Sequence, residues 1–581
     1  MKSRNTALIL LFAAILLIIA GGLCTHFTSR SMSLHLREGT VCPSSDTLPF
    51  GIRLNHFDIQ YHEGTLTPKD FASHISLFGH DGETRARVSM NKVYRYKGFR
   101  ILQENYDEDF RGSTLLIRYD PWGTGMVYGG YALLLLSILW LLSRREGAFR
   151  RLLRTLSVMS LFLISTPAIS HPLLNPEEAD AFGRLSIYYN GRIAPYDSYA
   201  RDYCKLVFAK EDMPMVGNPV QIVTDIYLFP QYWTNFPRPA MRIFPQQNLW
   251  LAPGDDFSGA AQEDTLFMAH ILTWLRQNMQ EGNSRQNMEI ILSIAKFQEK
   301  RCVPGSVDRN RESMEIAYHR FQPEKKIFIM ELSMALFLLM MLISRLHPAK
   351  IQKTALIFLV IALCINVLNI IWRCYVSGHN PFSSTFDTLL LLSCGILCIA
   401  LVMKRKENVI MITTLIASAF IILAATIMAN STFSPLQPVL VSPWLTFHVA
   451  IIMTAYCLFA FSFLLAIISI TIILFRKNEI KLHKTKNISQ IFCITGVVLL
   501  ATGIMIGSVW ANISWGQYWS WDPKESWALI TLLGYCIALP GVVPVADRKI
   551  WVYHLINMAA FGLLLMTYFG VSLWFGGMHA Y

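Results

Sequence analysis

W-G-Q-Y-W-S-W-D-P-K-E-S-W, from Trp515 to Trp527, holds four tryptophans and a tyrosine, with Asp522, Lys524 and Glu525 among them. It lies between two apolar runs, 488–509 and 527–545. A bilayer is crossed by about 20 apolar residues. Each run therefore reads as a membrane span, and the stretch between them as a loop or surface helix at a membrane face. An interfacial belt places single tryptophans and tyrosines at headgroup level. The density here, with a carboxylate inside the cluster, points instead to a platform for a large flat ligand.

Outward from this loop the apolar signal repeats, with candidate spans at 327–343, 354–373, 385–403, 409–428, 444–475, 488–509, 527–545 and 551–575. Of the 581 residues, 53% are hydrophobic and only 15% charged, against roughly 25% charged in a soluble domain. The chain reads as an integral membrane protein with soluble parts. Its net charge of +12 does not signal nucleic acid, because the basic residues gather in alternate loops. One set carries Arg345, Lys350 and Lys353, then Lys404, Arg405 and Lys406, then Arg476 and Lys477, then Arg548 and Lys549. The other set (374–384, 429–443, 510–526 and 576–581) carries only Lys524. Basic loops mark the cytoplasmic side. The expectation is a multi-pass protein of the bacterial inner membrane with a cytoplasmic N-terminus. The tryptophan loop, the soluble domains and the C-terminus then lie on the periplasmic side.

The first apolar run, Thr6 to Cys24, reads as a retained helix, since no small-x-small cleavage site follows it. Residues 27–125 contain short alternating segments such as Ile52-Arg53-Leu54 and Leu115 to Tyr119, punctuated by glycines, and predict a small β-rich extracytoplasmic domain. Met126 to Leu142 spans the membrane and is followed by Arg144, Arg145, Arg150, Arg151 and Arg154. The run 156–169 is short for a span. Residues 171–326 are rich in proline and aromatics and then helical, near Asp264 to Gln280 and Met288 to Lys300, which predicts a second, α-rich extracytoplasmic domain. The fold class is thus a polytopic α-helical membrane protein of about eleven transmembrane helices with two soluble domains. Its parts are 1–145, 146–326 and 327–581.

Of the 11 cysteines, those in apolar runs are small hydrophobes, while Cys42, Cys204 and Cys302 fall in polar regions where a disulfide has room to form. No C-x-x-C-H occurs, so the chain carries no c-type haem attachment site of its own.

Four histidines of the membrane half carry the chemistry. His448 begins the 444–475 span at its outer end, His579 closes the chain, His379 lies in an outer loop, and His554 lies near the inner end of the last span. Ionisable residues in spans are rare and usually functional. A flat ligand that stacks on tryptophan and accepts imidazole on its metal describes haem. A quinone uses the tryptophans but needs no paired histidines. His554 and His579 are 25 residues apart, about 37 Å along a helix, so they cannot share one iron. His448 and His579, at the same end, can.

The tryptophan stretch resembles the signature of the haem-handling protein family, and within it the CcsA (ResC) part of the System II cytochrome c synthase. Trp444 to His448, His554, the closing Gly577 to Tyr581, and Trp372 to Tyr375 with Gly378 to Pro381 agree with it. Leu36 to Gly39, Leu48 to Phe50, Asn91 to Val93 and Gly98 to Asp107 resemble a shortened CcsB (ResB). The chain is therefore similar to a fused CcsBA protein over 1–145 and 327–581. The resemblance implies a holocytochrome c synthase of the haem lyase type. Such a protein exports haem b as substrate and transient ligand, then attaches it by thioethers to the C-x-x-C-H segment of apocytochrome c. It implies iron ligation by His448 and His579, and a platform of Trp515, Trp519, Trp521 and Asp522. It also implies an inner haem site at His554, and counts His379 of the first outer loop among the haem-binding residues. The family pattern puts a histidine in the first span as partner to the inner ligand, and Thr6 to Ala20 contains none. The implied partners are apocytochrome c, a thiol-reducing protein, haem and the bilayer. Two rival readings are a haem transporter without ligation activity and a quinol or haem redox protein of the membrane.

Overall fold

The computed structural model describes residues 2–575 except 80–81, 91, 108, 143–173, 209–216, 234–235, 247, 258, 345–346, 404–407, 430, 436–441 and 476–478. The predicted span 156–169, the arginine block Arg144 to Arg154 and His579 lie outside the described residues.

The chain begins with helix α1 (Lys2–Thr28) and a β-domain. Its strands are β1 (Arg30–Arg37), β2 (Val41–Cys42), β3 (Gly51–Tyr61), β4 (Pro68–Gly79), β5 (Gly82–Ser89), β6 (Tyr94–Tyr96), β7 (Phe99–Tyr106) and β8 (Gly112–Tyr119). They form two antiparallel four-stranded sheets, ordered β1-β8-β7-β6 and β2-β3-β4-β5. Alternation explains the pairing: Ile52 and Leu54 on one sheet and Leu115 and Ile117 on the other point into a common core with Phe50, Ile75 and Ile101, as period-2 strands must when one face is buried. Helix α2 (Gly123–Leu142) returns beside α1.

Residues 174–321 form a helical region. It comprises α3 (Pro176–Gly183), the hairpin β9 (Ser186–Tyr189) and β10 (Arg192–Pro195), α4 (Tyr196–Phe208), α5 (Pro219–Leu228), the hairpin β11 (Phe244–Gln246) and β12 (Leu249–Leu251), α6 (Gln262–Glu281), α7 (Ser284–Arg301) and α8 (Arg309–Phe321). Phe182, Tyr196, Val223, Phe244, Leu275 and Ile294 fill its core. The predicted helices near 264–280 and 288–300 are α6 and α7. Tyr188 Oη meets Thr67 Oγ1 at 2.9 Å, fastening this region to the β-domain. Arg192 Nε donates to the Phe433 carbonyl at 2.7 Å, fastening it to the helical bundle. Cys42, Cys204 and Cys302 form no disulfide among the described residues.

The bundle comprises α9 (Pro323–Ile343), α10 (Pro348–Ser377), α11 (Thr385–Val402), α12 (Asn408–Met428), α13 (Pro443–Phe475), α14 (Glu479–Ser514), α15 (Pro523–Ile537), α16 (Pro544–Arg548), α17 (Ile550–Leu565), a π-helical turn (Met566–Gly570) and α18 (Val571–Trp574). Among the described residues seven helical runs are long and apolar enough to cross a membrane: α9 to α14, and α17 through α18. The predicted span 527–545 is shorter than expected. α15 stops at Ile537 after 15 residues, about 22 Å at 1.5 Å per residue, less than the ~30 Å of hydrocarbon. Pro540, Gly541 with φ +85°, and Pro544 prevent it from continuing.

Candidate haem-handling site

The tryptophan stretch is a loop between α14 and α15, and it is seated on the β-domain. Gly516 adopts φ +72°, and a Cβ there would lie 3.1 Å from a Leu102 methyl of β7. Arg100 of β7 donates to Asn512 Oδ1 near the end of α14. On α2, Tyr128 Oη accepts from Asn512 Nδ2 at 2.7 Å, and Tyr131 Oη lies 2.9 Å from Ser508 Oγ. Burial, then the like charge of Arg118, pulls the Arg100 guanidinium below its ordinary value. Burial lowers Arg118 as well, with Asp120 opposing. The β-domain thus holds two desolvated cations against the loop.

The loop's turn is fixed by α15. Asp522 is the N-cap and accepts from Lys524 N at 3.1 Å, while Glu525 Oε2 accepts from Ser520 N at 2.8 Å and Asp522 N at 3.3 Å. This capping box satisfies amides that a helix start leaves open. It offsets the placement of Trp521 at φ +59°, where a side chain costs roughly 1–2 kcal/mol.

Beneath the loop is a cleft of about 240 Å³, bounded by α11, α13, α14, α15 and the π-helical turn. His448 lines it together with Trp519, Tyr456, Lys524 and Tyr568. His448 Nδ1 lies 2.7 Å from the Gly503 carbonyl. A carbonyl only accepts, so Nδ1 carries the proton and the lone pair of the neutral ring sits on Nε2, the arrangement of a ligating histidine. Gly507 makes room for the ring, since a Cβ there would fall 2.4 Å from His448 Cε1.

The predicted platform is only partly assembled around this cleft. Trp519 lines it, and its Nε1 is buried without a hydrogen-bond partner among the described residues. Trp515 instead packs edge-on against buried Trp510, with ring centroids 4.7 Å apart. Trp521 is 73% exposed, and Asp522 is the buried helix cap. The cleft residues that sequence reading missed are Tyr456, Tyr568 and Gly507. Only Gly507 left a signal: with Gly503 it forms a small-x-x-x-small pair on α14, a mark of close helix approach. Behind Tyr456 and Tyr568 a second, apolar cavity of about 330 Å³ opens between α11, α12, α13 and α17.

His379 lines a different cleft, of about 760 Å³, where the β-domain, the helical region and the bundle meet. Its Nδ1 lies 3.1 Å from the Asn380 carbonyl. His554 is fully buried in α17, and neither ring nitrogen has a hydrogen-bond partner among the described residues. It neighbours a polar network in which Asn557 Nδ2 donates to Ser462 Oγ at 2.8 Å and Ser489 Oγ at 3.0 Å. His554 precedes Tyr568 by 14 residues, roughly 20 Å along the helix, so it and His448 define separate places. His26 ends α1 in an exposed position, and His347 caps α10, with its Nδ1 accepting from Ala349 N at 3.4 Å.

The bundle with its tryptophan loop, joined to an N-terminal β-domain between two helices, defines a membrane protein of cytochrome c assembly. Two family models match: "Cytochrome C assembly protein" over residues 382–579 and "ResB-like family" over residues 3–125. The cytochrome c biogenesis protein CcsA of Guillardia theta is 31% identical over 254 residues, covering 38% of this chain and 82% of that protein. CcsA of Chlamydomonas reinhardtii is 32% identical over 232 residues, covering 37% of this chain and 64% of that protein. Protein NrfI of Wolinella succinogenes is 24% identical over 652 residues, covering 93% of this chain and 72% of that protein. The chain belongs to the CcsA cytochrome c biogenesis family, in the form that fuses a ResB-like part to it.

Proposed function

We propose that the chain is a cytochrome c synthase that carries haem across the membrane and presents it beneath the tryptophan loop for attachment to apocytochrome c. The observation that carries this reading is His448, with Nδ1–H anchored on the Gly503 carbonyl and the ring turned toward the cleft that Trp519 lines. Haem b is the substrate. His448 ligates its iron on one side and His579 on the other, Trp519 stacks, and Lys524 and Arg118 attract the propionates. The cleft, at about 240 Å³, is smaller than the ~300–1,000 Å³ of pockets that enclose small molecules. A porphyrin seated on His448 therefore keeps an edge outside. At that edge each thiol of the C-x-x-C-H segment adds across a vinyl group. Sulfur bonds to one vinyl carbon, the thiol hydrogen ends on the other, and no net electron transfer occurs. Fixing both reactants in this geometry supplies much of the rate gain. The orphaned nitrogens of His554 support an inner stop on the way. In this reading the loop end of the bundle faces the periplasm of a bacterial inner membrane, and a thiol-reducing protein delivers the apocytochrome reduced.

The test is co-expression with an apocytochrome c. Covalent holocytochrome is expected from the native chain. Haem co-purifying with the chain while no holocytochrome forms would reduce the reading to haem delivery alone. In the His448→Gly variant, haem content by pyridine haemochrome is expected to fall, and added imidazole to restore it.

A further inference from the structure

The helical bundle holds a carboxyl group that the haem reading does not use. Glu331 lies in α9 and is fully buried. Its Oε1 accepts from Asn366 Nδ2 of α10 at 2.6 Å. Its Oε2 has no hydrogen-bond partner among the described residues. Around it stand Asn366, Ser418 of α12, and the Cys394 thiol of α11. No ion pair to Glu331 exists among the described residues. A carboxylate held in a membrane interior by one amide and one hydroxyl, with no cation, is strongly disfavoured. The neutral acid suits the site.

A second observation shows how a proton reaches it. Asn366, Asn369, Arg373 and Ser377 follow one another at helical spacing on one face of α10. Asn366, Asn369 and Arg373 are buried in the apolar outer part of the helix. Asn369 is 3% exposed, yet neither its Oδ1 nor its Nδ2 has a partner among the described residues. One turn further out, Arg373 is paired with Asp387 at 2.5 Å and also feels the Glu324 carboxylate, so its charge does not stand uncompensated against an entering proton. Arg373 lines a small cavity with Glu324 and Ser431, and Ser377 lines the large cleft at the loop end. Unpaired polar atoms inside proteins are groups that ordered water satisfies.

We propose that Glu331 is a proton-binding carboxyl inside the bundle, exchanging its proton with the loop end through the polar face of α10. The carboxylic acid releases a proton to water along Asn369 and takes it back by the same route. Nothing else is oxidised or reduced. The site is independent of the haem site and does not share its residues.

The test is labelling of the purified full chain with dicyclohexylcarbodiimide, which reacts with protonated carboxyls in apolar surroundings, read by peptide mass spectrometry. Glu331 is expected to be modified, with the rate falling by about tenfold per pH unit once pH exceeds its midpoint. In Asn369→Leu, labelling is expected to follow a pH jump at least tenfold more slowly. Absence of modification at Glu331 at every pH where the protein stays folded and monodisperse would overturn the proposal. So would a labelling rate that ignores pH. Protection by sodium ions at constant pH would overturn it too, by making the ligand a metal cation. Each of these three outcomes is read on the native chain.

Discussion

His448 and His554 sit at opposite ends of the same bundle and are held in opposite ways. His448 has one nitrogen anchored on a carbonyl, a glycine cut away beneath its ring, and a cleft in front of it. His554 is sealed in the interior with both nitrogens unpartnered among the described residues. An anchored imidazole is oriented before any ligand arrives, which suits a site where geometry must be reproduced at each reaction. An orphaned imidazole is destabilising until something binds it, which suits a place that a ligand passes through.

The comparison is broken most directly at His448. His448→Gly is expected to lower holocytochrome yield roughly 100-fold, as loss of a ligand and of its orientation implies. Imidazole in the medium should recover part of that yield; no recovery, with haem content unchanged, would place the ligand elsewhere. Gly507→Ala comes next. The new Cβ must push His448 off its position, so haem affinity is expected to drop about tenfold, in line with an overpacking cost of ~1–3 kcal/mol. Haem titration of the purified variant reads this directly, and an unchanged affinity would show that the ring's seat is unimportant. At the other end, His554→Leu should abolish haem retained at the inner place while leaving stability unchanged or raised by about 1 kcal/mol, because two unpartnered polar atoms leave the core. A fall in the thermal midpoint would mean that His554 is satisfied in the native state and is structural. The smallest effect is expected from Gly516→Ala, about 1 kcal/mol, from φ +72° and the contact with Leu102. Its signature is faster proteolysis of the loop with His554-dependent haem binding intact.

Seen from the sequence, the two histidines and the ends they occupy were equally visible, and the way each ring is held was not. Spacing along the chain separates the two ends of α17, so exclusion of a shared iron at His554 and His579 needs only 1.5 Å per residue. Which of the loop's tryptophans turns toward His448 depends on the loop's conformation, and that is set by partners far away in sequence. Gly516 sits against Leu102, Arg100 holds Asn512, and Glu525 clamps Ser520. So Trp519 reaches the cleft, Trp515 turns to Trp510, and Trp521 faces out. Asp522, chemically a candidate for the ligand, becomes a helix cap because Pro523 starts α15 immediately after it.

What the amino-acid order determined by itself was everything that local hydrophobicity and periodicity encode. This covers the long spans, with α10 and α14 running several residues past their predicted ends, the alternating strands of the β-domain, the helices α6 and α7, and the family membership carried by the tryptophan stretch. The tertiary structure alone decided the length of α15, the docking of the loop on the β-domain, the seat of His448, and the orphaned atoms of His554, Glu331 and Asn369. The physical reason is range. Burial and period are properties of a segment, whereas a satisfied or unsatisfied polar atom is a property of what other segments bring to it.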